Sequence, residues 1–95
     1  MQYKQLGSSE IKVSSCCLGT MYFGTKVLQS KAFEVLDGFL DKGGNFIDTA
    51  NNYAFWVGGN GEESELLLGQ WMQQRRNREK LVLATKVGAM PKDRN

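Results

Sequence analysis

Three side chains in this sequence have the chemistry to act together on one reacting group: Asp48, Tyr53 and Lys86. A free tyrosine titrates at a pKa of about 10 and is a poor proton donor at neutral pH. A lysine cation beside it favours the phenolate, lowers that pKa and makes the phenol a usable general acid. A lysine in a partly buried site needs its own counter-ion, which a carboxylate such as Asp48 supplies. An acid of this kind is what a carbonyl oxygen needs while a hydride arrives at its carbon. The same residues also fit a plain Asp–Lys pair beside an unrelated loop tyrosine, because structural ion pairs shift pKa values too.

Whether the three can meet depends on the elements that carry them. Tyr3 to Leu6 and Ile11 to Val13 alternate in the β manner around Gly7-Ser8-Ser9-Glu10, a turn by composition, and predict an N-terminal hairpin. Cys16 to Met21 is a short, mostly apolar run ending near Gly24, expected to be a buried strand. Ser30 is placed to cap a helix in which Phe33, Leu36, Phe39 and Leu40 recur at helical spacing, with Gly43-Gly44 as its stop. Asn45 to Thr49 predicts a second strand, followed by a polar, glycine-rich loop from Asn51 to Gly61. The next helix opens on Glu62, Glu63 and Glu65, carries Leu67, Leu68, Trp71 and Met72 on one face, and closes on Arg75, Arg76 and Arg78, a polarity that suits the helix dipole. Leu81 to Thr85 is apolar almost throughout, the pattern of a strand covered on both faces.

After the hairpin the order is strand, helix, strand, helix, strand. The crossovers make the three strands parallel, and such crossovers are nearly always right-handed. A doubly wound sheet and the first stretch of an eight-stranded barrel both fit. In either, functional residues gather at the C-terminal ends of strands. Asp48 ends the second strand, Tyr53 follows it, and Lys86 ends the third. Neighbouring parallel strands set those ends side by side.

Composition narrows the class. The chain has 95 residues, 41% hydrophobic and 23% charged, which suits a globular domain and argues against disorder. A net charge of +2 gives no reason to expect nucleic-acid or membrane partners. The start at Met1 leads into no apolar run long enough for a signal peptide or a membrane span, so the expected location is cytoplasmic. The two cysteines, Cys16 and Cys17, are neighbours that would point to opposite faces of a strand; they read as small core residues in a reducing compartment. The absence of His removes imidazole-based metal sites and triads, and no metal is expected.

Asp48-Thr49-Ala50-Asn51-Asn52-Tyr53 resembles the Asp-Thr-Ala-x-x-Tyr signature of aldo-keto reductases. Leu18-Gly19-Thr20-Met21-Tyr22-Phe23-Gly24 is similar to that family's first barrel strand and following turn. Leu6-Gly7 with Val13-Ser14 resembles its hairpin, and Gly61, Ser64-Glu65 and Leu68-Gly69 resemble its Gly-x-x-Ser-Glu-x-x-x-Gly stretch. Ala84-Thr85-Lys86 matches its third strand. The resemblance runs from about Tyr3 to Gly88, and the order and spacing of the motifs make it specific.

The resemblance implies the α/β fold of a (β/α)8 barrel: a hairpin, then the first three strands and two helices, with residues 1–95 forming the N-terminal part of one NADP-dependent oxidoreductase domain. A complete barrel takes about 250 residues, so this one would be incomplete. It implies reduction of a small-molecule carbonyl substrate, an aldehyde or ketone, with NADPH as cofactor. Tyr53 would be the general acid, Lys86 would tune it, and Asp48 would pair with Lys86. Gly19, Thr20 and Met21 match first-strand residues near the nicotinamide ribose, which Asp48 also reaches. The family's remaining groups, a histidine at the end of the next strand and most cofactor contacts, fall after Asn95. The 95-residue chain alone is therefore expected to be inactive. A cofactor-binding regulatory subunit of the same fold and an inactive remnant are the alternatives. Nothing in the sequence fixes the substrate or the oligomeric state.

Other signals are weaker. Gly19 to Lys26 nearly spells a phosphate-binding loop, but Thr25 stands where the lysine belongs. Gly59-Asn60-Gly61-Glu62-Glu63-Ser64 half-resembles a dinucleotide fingerprint, yet it follows no strand directly and its two glutamates would repel a pyrophosphate. Arg75-Arg76-Asn77-Arg78 reads as the solvated basic end of a helix. Phe55 and Trp56 fit either a substrate pocket or packing of the loop on the rim.

Overall fold

The computed structural model describes residues 1–50 and 61–86. Tyr53, Phe55 and Trp56 lie outside the described residues, as does the segment from Val87 onward. The chain opens with strands β1 (Tyr3–Gln5) and β2 (Lys12–Ser14), paired antiparallel with Lys4 opposite Val13. Gly7 turns the chain with φ of 59°, and Leu6 N–H closes the loop on the Ile11 carbonyl at 2.8 Å. The hairpin is fastened from both sides: the Tyr3 hydroxyl donates to the Gly43 carbonyl, the Ser14 hydroxyl accepts the Asn45 N–H at 3.1 Å, and the Asn45 side chain reaches back to β2. Asn45 Oδ1 accepts the Ser14 N–H at 2.7 Å, and Asn45 Nδ2 donates to the Lys12 carbonyl at 3.0 Å. Because Asn45 directly precedes the central strand of the second sheet, the hairpin sits at that sheet's N-terminal end.

Strands β3 (Cys17–Gly19), β4 (Phe46–Asp48) and β5 (Val82–Ala84) form a parallel sheet in the order β3-β4-β5. Helices α1 (Gln29–Asp41) and α2 (Glu63–Arg75) make the two crossovers. Leu18, Ile47 and Leu83 lie abreast in the register, and alternation sends them to the same face. Ile47 shares one apolar cluster with Ala32, Phe33 and Leu36 of α1 and with Leu67, Leu68 and Trp71 of α2, and Leu18 and Leu83 pack against it. Both helices thus cover one face, as in a barrel wall; a doubly wound sheet would place them on opposite faces. The other face carries Gly19, Asp48 and Ala84 in one row and Cys17, Phe46 and Val82 in the row before it.

Several local expectations need correction. Cys16 and Cys17 are exposed, not core, because Cys17 belongs to the face that the helices leave uncovered. For the same reason β3, expected to be buried, has Cys17 and Gly19 exposed, and β5, expected to be covered on both faces, is only partly buried. Ser30 does not cap α1: Leu28 is the N-cap, with no side-chain bond, and Ser30 already lies in the first turn. The second helix ends at Arg75. Arg76 turns into the left-handed region with φ of 53°, and Arg78 starts a single 3-10 turn through Lys80, where its guanidinium caps the Leu81 carbonyl at 3.1 Å.

The Gly43-Gly44 stop works as the sequence predicts. Gly43 has φ of 91°, and the Gly43 and Gly44 N–H groups donate to the carbonyls of Leu40 (3.0 Å) and Phe39 (2.9 Å). This is the paired closure of a Schellman turn. The Phe39 ring lies over Gly44, where any side chain would collide with it.

The helices are also joined to each other. The carboxylate of Asp37 on α1 accepts from Trp71 Nε1 at 2.8 Å and takes a two-pronged contact from Arg75 at 3.1 and 3.0 Å. The Arg75 guanidinium, and then the Trp71 indole, hold the Asp37 carboxyl below its ordinary value of 3.8. A carboxyl lowered in the folded state stabilises it fully above the ordinary value, and that stability is lost as pH falls through the native one. Urea titrations from neutral to acid pH should therefore show the chain weakening below about pH 4, with Asp37→Asn less stable at neutral pH and flatter in acid. A variant as acid-sensitive as the unmodified chain would show that Asp37 does not link the helices.

Candidate active site

Asp48 is the last residue of β4, flanked in register by Gly19 and Ala84. Lys86 lies two residues beyond Ala84, so alternation returns it to the same face. Its ammonium donates to Asp48 Oδ1 at 2.8 Å and to the Thr49 carbonyl at 3.1 Å. The expected meeting of Asp48 and Lys86 is therefore present in the structure. Their side chains are 38% and 48% exposed. An ion pair this open contributes roughly 0–1 kcal/mol to stability, so its significance lies in where it holds two charges.

Of the remaining residues singled out by the sequence, Gly19 lies open on the same face, and a Cβ built on it would meet nothing within 4 Å. Met21 is 40% exposed in the turn that follows. Thr20 is fully buried. Its hydroxyl donates to the Asp48 carbonyl at 2.9 Å and its N–H to the same oxygen at 3.2 Å, so it fastens β3 to β4 directly behind the pair. Tyr53 lies outside the described residues.

Sequence reasoning missed the role of the first turn of α2. Ser64 contacts Thr20 at 2.7 Å and Thr49 at 2.8 Å, and Glu65 accepts from the Thr85 hydroxyl at 2.6 Å. Two adjacent residues thus reach the ends of all three parallel strands. The available signal was a buried-size hydroxyl at the start of a helix together with threonines ending two strands. Cys17 was also misassigned. Although the residue is exposed, partial desolvation of its thiol by neighbouring groups pushes it above the ordinary value of 9.0, the Asp48 carboxylate adds to the rise, and the Lys86 ammonium opposes it. Among the described residues, no cluster of three His, Cys, Asp or Glu side chains is placed to hold a metal. No described helix is long and apolar enough to cross a membrane.

A parallel strand–helix wall with both helices on one face defines the class: the start of a (β/α)8 barrel, with Asp48 and Lys86 paired at its C-terminal rim. Residues 15–95 match the family model described as the aldo/keto reductase family, and the chain belongs to that family. It is 45% identical over 96 residues to norsolorinic acid reductase B of Aspergillus parasiticus, a match covering 93% of this chain and 24% of that protein. It is 41% identical over 92 residues to an aryl-alcohol dehydrogenase of Pestalotiopsis microspora, covering 90% of this chain and 22% of that one. Among solved structures, an aldo-keto reductase from Bacillus halodurans in its holo form superposes with a TM-score of 0.74 at 35% identity, covering 93% of this chain and 26% of that one. The chain spans about a quarter of the length of the curated relatives it matches. Its fold is the N-terminal portion of the aldo-keto reductase barrel.

The electrostatic coupling on this face can be read through Cys17. Removing the negative charge with Asp48→Asn should lower the Cys17 thiol pKa and speed its alkylation at fixed mildly alkaline pH. Removing the positive charge with Lys86→Met should raise it and slow the reaction. Mass spectrometry that resolves Cys17 from Cys16 would give both rates. Equal rates in the two variants would mean that the thiol does not sense the pair.

Proposed function

We propose that this segment supplies the proton-donating side of a carbonyl-reducing site that uses NADPH. The observation that carries the reading is the Asp48–Lys86 contact at 2.8 Å on the open strand-end face. Membership of an oxidoreductase family supports it. The residues present fit a nicotinamide nucleotide: the face beside Asp48 is uncluttered at Gly19, Met21 is exposed next to it, and the carboxylate can accept from a ribose hydroxyl. When bound, the cofactor supplies the hydride. Thr20 acts behind that surface, holding the strand end and leaving Gly19, Met21 and Asp48 to meet the ligand.

In this reading Tyr53 is the general acid. Its phenol donates a proton to the carbonyl oxygen as the carbon is reduced. The Lys86 ammonium stabilises the phenolate left behind and so lowers the pKa at which the proton is released. Asp48 holds that ammonium in place and balances its charge. The substrate is a small aldehyde or ketone; the aryl-alcohol dehydrogenase among the relatives makes an aromatic aldehyde the first to try. The protein is read as cytoplasmic, without nucleic-acid or membrane partners.

The test is a chimera in which this chain replaces the matching segment of the Bacillus halodurans enzyme. It should consume NADPH with an aromatic aldehyde. Tyr53→Phe should lower kcat by about 10² or more while leaving NADPH affinity nearly unchanged, since it removes the acid and not the binding surface. A chimera that binds NADPH without turnover would favour a regulatory cofactor-binding role, and full activity in Tyr53→Phe would overturn the assignment of the acid.

A further inference from the structure

Behind the Asp48–Lys86 pair lies a second polar network that is closed to solvent. Thr20 and Thr49 are 0% exposed and Ser64 is 1% exposed. Its hydrogens can be assigned by counting, because each hydroxyl carries one proton. Thr20 Oγ1 gives its proton to the Asp48 carbonyl. The 2.7 Å contact between Ser64 and Thr20 must then use the Ser64 proton, and the 2.8 Å contact between Thr49 and Ser64 the Thr49 proton. The chain runs one way: Thr49 to Ser64, Ser64 to Thr20, Thr20 to the Asp48 carbonyl.

The backbone held by this chain is the backbone that carries the pair. The Asp48 carbonyl accepts both the hydroxyl and the N–H of Thr20. The next N–H, that of Thr49, donates to the Ala84 carbonyl at 2.8 Å. The Thr49 carbonyl is the second anchor of the Lys86 ammonium. Ser64 is the middle link, and it does not cap its own helix: the N-cap of α2 is Glu62, which makes no side-chain cap bond. Its hydroxyl is directed to the strand ends.

We propose that Ser64 is a positioning residue for the Asp48–Lys86 pair, its hydroxyl completing from α2 the chain that fixes the Asp48–Thr49 backbone. Without that hydroxyl, Thr20 loses its donor and Thr49 its acceptor, leaving buried polar groups short of partners. The strand end loosens, and Lys86 loses the fixed geometry of both its anchors. The effect on Lys86 follows from the network alone; the effect on catalysis rests on the carbonyl-reductase reading above.

The experiment measures the reactivity of Lys86 in the whole chain. Reductive methylation with formaldehyde and cyanoborohydride, followed by peptide mass spectrometry, gives the rate at Lys86 relative to exposed Lys31. Fluorescence of the buried Trp71, read in a Trp56→Phe background where it is the sole tryptophan, shows that the core is intact. Ser64→Ala removes both of the Ser64 contacts and should raise the Lys86 ratio about fivefold, the change expected if the loosened strand end costs the ammonium the equivalent of one net hydrogen bond. Ser64→Thr keeps the hydroxyl and should return the ratio toward that of the unmodified chain. Thr20→Val removes the last link with little change of shape and should act as Ser64→Ala does; it decides the matter alone if the alanine variant does not fold. An unchanged ratio in Thr20→Val, or an equal rise in Ser64→Thr and Ser64→Ala, overturns the proposal. In the chimera, Ser64→Ala should lower kcat, and Ser64→Thr should restore it. Loss of activity in the unmodified chimera would count against the reductase reading and leave the labelling result standing.

Discussion

A lysine ammonium at the mouth of a parallel sheet keeps a defined position only if its counter-ion is itself held by the backbone. Asp48 meets that demand because β4 is the central strand. The peptide after Asp48 is fastened on both sides, its carbonyl by Thr20, the residue after β3, and its N–H by the Ala84 carbonyl of β5. Lys86, two residues past Ala84, then reaches back to the carboxylate and to the Thr49 carbonyl. A one-residue slip of either outer strand would turn its side chains to the other face and separate the pair. The register is therefore the condition on which the site depends, and the apolar row of Leu18, Ile47 and Leu83 under the two helices fixes it.

The face that carries the Asp48–Lys86 pair and the face that stabilises are thus opposite sides of the same three short strands. Ile47 is fully buried among residues of both helices, while its neighbour Asp48 points away from them. The Asp37–Trp71–Arg75 contact ties the helices together away from the Asp48–Lys86 pair, so the wall can be firm while the strand-end face stays open. The first turn of α2 is the exception, since it reaches the strand ends themselves. Gly24 belongs to the same junction: with φ of 86°, it brings the turn after β3 so close to Glu63 that a Cβ would stand 2.9 Å from the Glu63 side chain.

Much of this was legible in the sequence because it rests on period and punctuation. Leu18, Ile47 and Leu83 are apolar where a helix-covered strand must be, and Gly43-Gly44 ends α1 as its composition predicts. Asp48 and Lys86 were legible for the same reason, as reactive side chains at strand ends. The cysteines were not, because an apolar residue in a short strand reads alike on either face. Ser30 was not, because capping depends on the exact phase of the helix start, and the N-cap falls two positions earlier, at Leu28. Ser64 escaped because its partners, Thr20 and Thr49, are separated from it by 44 and 15 residues and meet it only in the folded chain.

The claim at the centre is that Asp48 and Lys86 act as one unit on the reaction. A double-mutant cycle on single-turnover NADPH oxidation, with Asp48→Asn, Lys86→Met and both together in the complete barrel, tests it directly. Groups that act only through each other give non-additive losses. The account predicts that the double variant is no slower than the slower single variant. Losses that multiply, each residue costing as much in the absence of the other, would contradict it.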